Sequence, residues 1–262
     1  MKFQCPRCSS SKYWLLRDGR YRCSSCRKTY TDQRKHVRIA RSKLREVVQE
    51  FVLEHSTNTI LTRVDISRYM LLKILTAVRM AMTQDVPEVF EGVVEVDETY
   101  VGGQWRNKRK VQRLQGTKRG RGTSKHPVFG ILCRNGYVWA ELVPGVESAI
   151  LLPLINKRVK RGSIVYSDTW RGYTGIAANG YVHRLVDHSR GEFSDTKGTH
   201  INGLEGFWGY LKRKLAAKGG IRQERLPLYL GEYVWRYNHR KMNFKEQEKL
   251  LMTMLYQNIR SG

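Results

Sequence analysis

Asp97 lies near the middle of an apolar segment that runs from Val93 to Gly103, and Glu95 and Glu98 flank it as bystanders. The β-branched valines of this segment favour a strand, and the closing glycine pair marks its end. A carboxylate inside such a run costs free energy when it is buried, unless a cation or hydrogen bonds compensate its charge. A strand with one solvated face is the alternative, because simple alternation would then put Glu95 and Asp97 in water. The carboxylates further along the chain favour a functional site at Asp97 over a solvated strand face.

Two more acidic residues follow Asp97 in an order that an α/β fold can use. Asp168 ends a run that reads as a buried strand, and Glu205 lies on a segment with the leucine and aromatic spacing of a helix. From Asp97 to Glu205 the chain reads as three strands, a helix, a strand, a helix, a strand and a helix. Asp97 and Asp168 then sit at the carboxyl ends of strands, where open α/β sheets place their sites. Lys212 follows Glu205 by two helical turns and shares its face.

Four of the five cysteines lie close to the amino terminus with the spacing of a metal site. Cys5 and Cys8 form one C-x2-C pair, Cys23 and Cys26 form a second, and fourteen residues separate the pairs. The Asp18-Gly19 turn between the pairs predicts a hairpin that brings four thiolates to one point, in the tetrahedral arrangement that Zn2+ prefers. Two disulfides are the less favoured alternative, because the amino terminus lacks the apolar core of a secretory signal. We therefore predict a zinc ribbon that needs its metal to fold.

The strongest bulk signal is charge: 48 Lys and Arg against 23 Asp and Glu give a net charge of +25. A surface that basic attracts a polyanion, so double-stranded DNA is the first partner to expect. The longest apolar run has seven residues, far short of the roughly 18 that a membrane span needs. We expect a cytoplasmic, nucleoid-associated protein with no membrane partner and no small-molecule substrate.

The most basic segment, residues 104–125, carries nine Lys and Arg and no acidic residue. Like charges at this density repel one another unless phosphates neutralise them, so a loop ordered by DNA is favoured over a plain solvated loop. Its position directly after the Asp97 strand would deliver phosphates to that carboxylate. The DNA-binding candidates in this segment are Arg106, Lys108, Arg109, Lys110, Arg119 and Arg121.

Helical spacing of apolar residues extends over residues 36–55 and again over residues 62–83, with a polar break between them. Such helices can form a helix-turn-helix that reads a DNA groove, or they can be a plain helical spacer. The pattern leaves both interpretations open. The predicted domains are a zinc ribbon, a helical segment, a catalytic core and a carboxy-terminal helix, over residues 1–32, 33–88, 89–243 and 244–262 respectively.

The order and spacing of the three acidic residues resemble the ribonuclease H-like core of DDE transposases and integrases. Four segments, VDETYVGG, VYSDTWRGY, HINGLEGFWGYLKRKL and EYVWRYNHR, are similar to those of bacterial insertion-sequence transposases of the ISXO type, which carry a zinc ribbon before the DDE core. The resemblance covers the chain from the ribbon to about Arg240. It implies an α/β protein with a ribonuclease H-like mixed-sheet core, an amino-terminal zinc ribbon and a small helical linker domain.

The resemblance implies that Asp97, Asp168 and Glu205 are the catalytic metal ligands and that they hold two Mg2+ ions, for which Mn2+ can substitute. Three converging carboxylates repel one another unless hard cations neutralise them, and Mg2+ prefers oxygen ligands. Asn202, one helical turn before Glu205, is the alternative third ligand. We favour Glu205, because a third negative charge binds Mg2+ more firmly.

The function that the resemblance implies is DNA transposition. The protein would bind the terminal inverted repeats of its insertion sequence, cleave the strands there and join the 3′ ends to target DNA, as a homodimer or higher oligomer. Lys212 and the adjacent Arg213 would contact the transposon end. Two alternatives remain: a domesticated, non-catalytic DNA-binding regulator, and a structure-specific DNA nuclease of the same fold.

Overall fold

The computed structural model divides the chain into two compact units. Residues 1–75 and 248–262 form one unit, and residues 76–247 form the other. The residues that the structure describes are 5, 7–8, 10–17, 20–30, 39–102, 125–134, 136–169, 171–186 and 202–260.

A small three-stranded antiparallel sheet begins the chain, and it confirms the predicted hairpin. Its strands are β1 (Tyr13–Leu15), β2 (Tyr21–Cys23) and β3 (Thr29–Tyr30), with β2 at the centre. The buried cluster of this ribbon consists of Cys5, Cys23 and Tyr30. So small a core cannot stabilise a domain by burial alone, which makes the ribbon dependent on its cysteine ligands.

The next segment contains three helices, and the apolar spacing predicts two or three. They are α1 (Arg41–Val52), α2 (Thr57–Arg63) and α3 (Arg68–Gln84). The polar stretch predicted as a break contains the cap and first turn of α2, because the Ser56 side chain accepts a hydrogen bond from the backbone N–H of Thr59 at 3.1 Å. A side-chain oxygen in this place satisfies an N–H that lacks a partner within the helix.

The second unit is built on a mixed five-stranded sheet with the order β6-β5-β4-β7-β8. The first three strands of this order pair antiparallel, and they are the three strands predicted from Asp97 onwards. Strand β7 adds to β4 in parallel, and β8 adds to β7 in parallel. This mixed sheet with helices confirms the predicted α/β fold class. The strands are β4 (Val93–Val101), β5 (His126–Cys133), β6 (Val138–Leu142), β7 (Ile164–Ser167) and β8 (Val182–Leu185).

Alternating residues of the central strands divide the core between the two faces of the sheet. On one face Val94 and Val96 pack in a cluster with Leu151 of helix α4 (Ser148–Arg158). The other face is covered by two helices, α5 (Asn202–Ala216) and α6 (Leu226–Asn238). The cluster on that face includes Val101, Val128 and Leu132 of the sheet and Leu204, Phe207, Trp208, Leu230 and Tyr233 of the helices.

Residues 171–178, predicted as one short helix, form two 3-10 turns instead. These are Arg171–Tyr173 and Ala177–Asn179. Gly175 lies between them with φ of +98°, a left-handed conformation that interrupts a helix and suits glycine. The chain ends in helix α7 (Phe244–Arg260). No helix in the described part of the chain combines the length and the apolar composition that a membrane crossing requires.

Candidate active site

Asp97 lies on the α5 side of strand β4, held by a side chain of the helix. The indole Nε1–H of Trp208 donates a hydrogen bond to Asp97 Oδ2 at 2.9 Å. Burial, together with the negative charges of Glu98 and Asp168, raises the pKa of Asp97 to about 7, although the hydrogen bond from the indole lowers it in part. A bound cation would stabilise the ionised form of a carboxylate that is buried next to other carboxylates.

Asp168 directly follows strand β7, the parallel neighbour of β4. The register pairs Val93 with Ile164 and Glu95 with Tyr166, and its continuation by two residues would align Asp97 with Asp168. Neighbouring strands lie about 4.8 Å apart, so the two carboxylates belong to one region of the sheet. Asp168 follows the end of β7 as predicted, but Asp97 lies in the middle of β4 and not at its carboxyl end. The electrostatic effect of Asp168 on the pKa of Asp97 agrees with this placement.

A glycine opposite Asp97 makes room for Trp208. Gly130 of β5 pairs with Asp97 across the two strands. A Cβ atom at Gly130 would lie 2.6 Å from Trp208 Cη2 and 3.2 Å from Leu204 Cδ2. Because real Cβ atoms do not approach so closely, a side chain here would displace the indole that holds Asp97. The sequence contains this signal only as a glycine inside an apolar strand.

Helix α5 presents Leu204, Phe207 and Trp208 to the sheet, whereas Glu205 is exposed beside that buried face. Glu205 nevertheless lies close enough to the sheet to raise the pKa of Glu95 through its charge. Asn202, the alternative third ligand, begins α5 one turn before Glu205.

Glu95 is buried beneath the start of α5 rather than solvated. Its side-chain Oε2 accepts a hydrogen bond from the backbone N–H of Leu204 at 3.0 Å, and the residue is 4% exposed. Burial raises the pKa of Glu95, and the N–H of Leu204 lowers it in part. The alternative that puts Glu95 in water is therefore wrong. Periodicity could not reveal this contact, because the partner lies 109 residues along the chain.

Glu98 also has a defined partner. The hydroxyl of Tyr173 donates a hydrogen bond to Glu98 Oε2 at 2.6 Å. Burial raises the pKa of Tyr173 well above its usual value, and the charges of Glu98, Asp97 and Asp168 add to that effect. Tyr173 therefore remains a protonated donor at neutral pH. The acidic group around Asp97 is therefore larger than the three residues that the sequence singles out.

Lys212 lies within electrostatic reach of Asp97. Burial lowers the pKa of Lys212, the charge of Lys125 lowers it further, and Asp97 opposes both effects. Arg213 follows it on the exposed side of α5. The other predicted DNA-binding residues, Arg106, Lys108, Arg109, Lys110, Arg119 and Arg121, lie outside the described residues.

The ribbon holds a compact group of four thiols. One ligand atom from each of Cys5, Cys8, Cys23 and Cys26 lies within 4.8 Å of the others, and all four cysteines are free. The backbone N–H of Cys26 lowers the pKa of Cys23 to about 6. Hydrogen bonds with neighbouring thiols raise the pKa of Cys8 to about 12, although the N–H of Ser10 lowers it in part. These sulfurs cannot all ionise without a cation, and the arrangement suits structural Zn2+.

Among the residues that the structure describes, these cysteines are the one group of three or more ligands close enough to hold a metal ion as the side chains stand. Asp97, Asp168 and Glu205 do not form such a group.

Residues 89–238 match the model of the ISXO2-like transposase domain. The chain belongs to this transposase family. Residues 1–29 of this family member match the transposase zinc-ribbon domain. An uncharacterized transposase-like protein of Haemophilus influenzae is 38% identical over 118 residues, which cover 45% of this chain and 93% of that protein. The resemblance stated from the sequence is confirmed, and the family supports a polynucleotidyl transferase-type enzyme.

Proposed function

We propose that this transposase binds the terminal inverted repeats of its insertion sequence and catalyses Mg2+-dependent strand cleavage and strand transfer. The observation that carries the proposal is the Asp97 carboxylate, fixed by Trp208, beside Asp168, and with a pKa of about 7. Burial of a carboxylate next to a second carboxylate costs free energy, which a bound cation would offset.

Asp97, Asp168 and Glu205 would hold the Mg2+ ions. Their donor set fits, because all the ligand atoms are carboxylate oxygens, and the charges of Glu98 and Asp168 add to the effect of burial in raising the pKa of Asp97. When bound, the ions activate a water or a DNA 3′-hydroxyl and stabilise the leaving oxygen. Trp208 orients the Asp97 carboxylate, and Lys212 supplies a positive charge for a phosphate next to it.

The helix geometry favours Glu205 over Asn202 as the third ligand. An α-helix turns by about 100° per residue, so position 205 lies about 60° around α5 from position 208, and position 202 lies about 120° away. Since Trp208 reaches Asp97, the position closer to Trp208 is nearer to the other carboxylates. Lys212, which senses the charge of Asp97, is on the same side as Glu205.

Cleavage of labelled DNA tests this function. We expect a duplex carrying the DNA that flanks the reading frame to be cut and joined in Mg2+ by the wild type, and to be bound but not cut by Asp168→Asn. Cutting of branched substrates without joining would favour the structure-specific nuclease. Binding without metal-dependent cutting by either protein would favour the DNA-binding regulator.

The space at Gly130 provides a test of the Asp97 environment. Gly130→Ala should lower the cleavage rate at least about tenfold and cost about 1–3 kcal/mol of stability, because the new Cβ displaces Trp208 from Asp97. Gly206→Ala is the matched control, since a Cβ there meets nothing within 4 Å. Cleavage kinetics and urea unfolding compare the two. Equal behaviour of both variants would contradict the assigned role of the indole bond.

Structural zinc in the ribbon is equally open to test. Cys26→Ser should reduce the zinc content from about one ion per chain to near zero and leave residues 13–30 unprotected against amide exchange, because the ribbon has little core of its own. Cys133→Ala should leave the zinc content unchanged, since Cys133 is buried in the sheet unit. Atomic absorption after dialysis measures the metal, and full zinc occupancy in Cys26→Ser would contradict the assignment.

The proposal also includes the residues that bind DNA. We assign the DNA-binding role to Lys212 and Arg213 and to the basic segment 104–125. The domain division at residues 1–32, 33–88, 89–243 and 244–262 and the assembly as a dimer or higher oligomer on DNA stay predictions.

A further inference from the structure

Helix α5 is attached to the sheet by contacts of two kinds. Apolar side chains such as Leu204, Phe207 and Leu211 bury its inner face. Apolar contact is not directional, so it resists separation of the helix from the sheet more strongly than it resists a slide along the helix axis. The position of Glu205 along that axis therefore depends on directional contacts.

Two hydrogen bonds supply this direction, and both acceptors are carboxylates of β4. The backbone N–H of Leu204 donates to Glu95 Oε2 at 3.0 Å, and Trp208 Nε1–H donates to Asp97 Oδ2 at 2.9 Å. The donors belong to residues one helical turn apart on α5, and the acceptors belong to neighbouring residues on one face of β4. The two bonds therefore join the first turns of α5 to β4 at two points, which fixes one register of the helix on the strand.

Gly203 allows the helix to begin this close to the strand. A Cβ atom at Gly203 would lie 3.0 Å from Glu95 Oε2 and 3.0 Å from Leu132 Cδ2. Those distances are tighter than ordinary Cβ contacts, so a side chain would push the first turn of α5 outwards. The buried carboxylate also faces the positive end of the helix dipole, which favours its negative charge.

We propose that Glu95 is a positioning residue that fixes the register of α5 and thereby places Glu205 beside Asp97 and Asp168. Strand β4 would then carry the metal ligand Asp97 and also Glu95, which aligns the helix that carries the metal ligand Glu205. The effect of Glu95 on Mg2+ binding rests on the proposed function, whereas the alignment of α5 is a property of the fold.

Substitutions at Glu95 should separate alignment from charge. Glu95→Ala removes the acceptor, and we expect the Mg2+ concentration for half-maximal cleavage to rise about 10-fold to 100-fold, as for other residues that support metal ligands. Glu95→Gln keeps an oxygen acceptor and should restore most of the Mg2+ affinity. Glu141→Ala, an exposed carboxylate of β6, is the control and should behave as the wild type.

Gly203→Ala covers the case in which Glu95→Ala does not fold. It keeps Glu95 and shifts only the start of α5, so it should raise the required Mg2+ concentration without removing any carboxylate. Gly206→Ala on the same helix has no such contact and should not change it. Wild-type Mg2+ dependence in both Glu95→Ala and Gly203→Ala would overturn the proposal.

Amide hydrogen exchange gives a readout that does not depend on activity. Protection of the Leu204 amide should fall in Glu95→Ala and return in Glu95→Gln. If the wild type neither binds Mg2+ in calorimetry nor cuts DNA, the proposed function fails while this exchange result still decides the alignment. If the wild type cuts DNA and the Leu204 amide is equally protected in Glu95→Ala, the alignment role is refuted and the function stands.

Discussion

Asp97→Asn is expected to abolish Mg2+-dependent cleavage and, at the same time, to stabilise the metal-free protein at pH 8. The loss of a metal ligand should lower the cleavage rate by about 10³-fold or more. Asparagine retains an oxygen that can accept the Trp208 hydrogen bond, so the local packing should survive. The variant thus separates the chemical role of the carboxylate from its structural role.

The gain in stability follows from the pKa of Asp97. Folding raises this pKa from 3.8 to about 7, so the folded protein binds more protons than the unfolded chain between these pH values. Wild-type stability therefore falls as the pH rises through that range, by up to about 4 kcal/mol. Asparagine does not ionise and avoids this loss.

Urea unfolding in EDTA at pH 5 and pH 8 measures the effect. The advantage of Asp97→Asn over the wild type should be larger at pH 8 than at pH 5. Glu141→Gln, at an exposed position, should follow the wild type at both pH values. An equal stability difference at both pH values would show that Asp97 does not titrate as its surroundings require.

Glu232→Gln is expected to cause the largest loss of stability. Glu232 of α6 is buried between two guanidinium groups: Arg79 donates to it at 2.7 Å and Arg236 at 3.0 Å. The two arginines lower the pKa of Glu232 even though burial alone would raise it. Neutralising the carboxylate leaves these charges poorly compensated inside the protein, which costs about 3–5 kcal/mol.

An exposed ion pair provides the matched control. Glu91 accepts a hydrogen bond from Lys160 at 2.8 Å, but both side chains are mostly solvated. Glu91→Gln should change the free energy of unfolding by less than about 1 kcal/mol. The pKa of Glu232 is lowered in the folded protein. Its contribution to the free energy of unfolding should therefore be present at neutral pH and disappear as the pH falls below 4.5. Equal effects of the two substitutions would contradict the assigned burial.

Sequence reasoning was most successful where a chemical requirement and a local pattern coincide. The four cysteines meet because strands β1 and β2, which connect the two cysteine pairs, form an antiparallel hairpin. The strand around Asp97 and the two strands after it follow from their apolar runs, which are rich in β-branched residues. Motifs of this kind act over short distances, so spacing alone is enough to read them.

The support of the site could not be predicted in the same way. Glu95 meets Leu204, and Gly130 leaves room for Trp208, only after β4, β5 and α5 have packed together. These contacts join residues that are far apart in sequence, so no local periodicity of the sequence reveals them. The polar stretch at Ser56 does separate two helices, but its role as the cap of α2 depends on a side-chain hydrogen bond that apolar spacing does not reveal.

The central claim is that Asp97, Asp168 and Glu205 bind divalent ions at one place, and Fe2+-directed cleavage of the protein backbone tests it most directly. With Fe2+ in place of Mg2+ and with ascorbate and peroxide added, hydroxyl radicals cut the chain next to the bound metal. We predict cuts near residues 97, 168 and 205 that excess Mg2+ suppresses together. Cuts that omit one of these positions, or that excess Mg2+ leaves unchanged, would contradict the shared site.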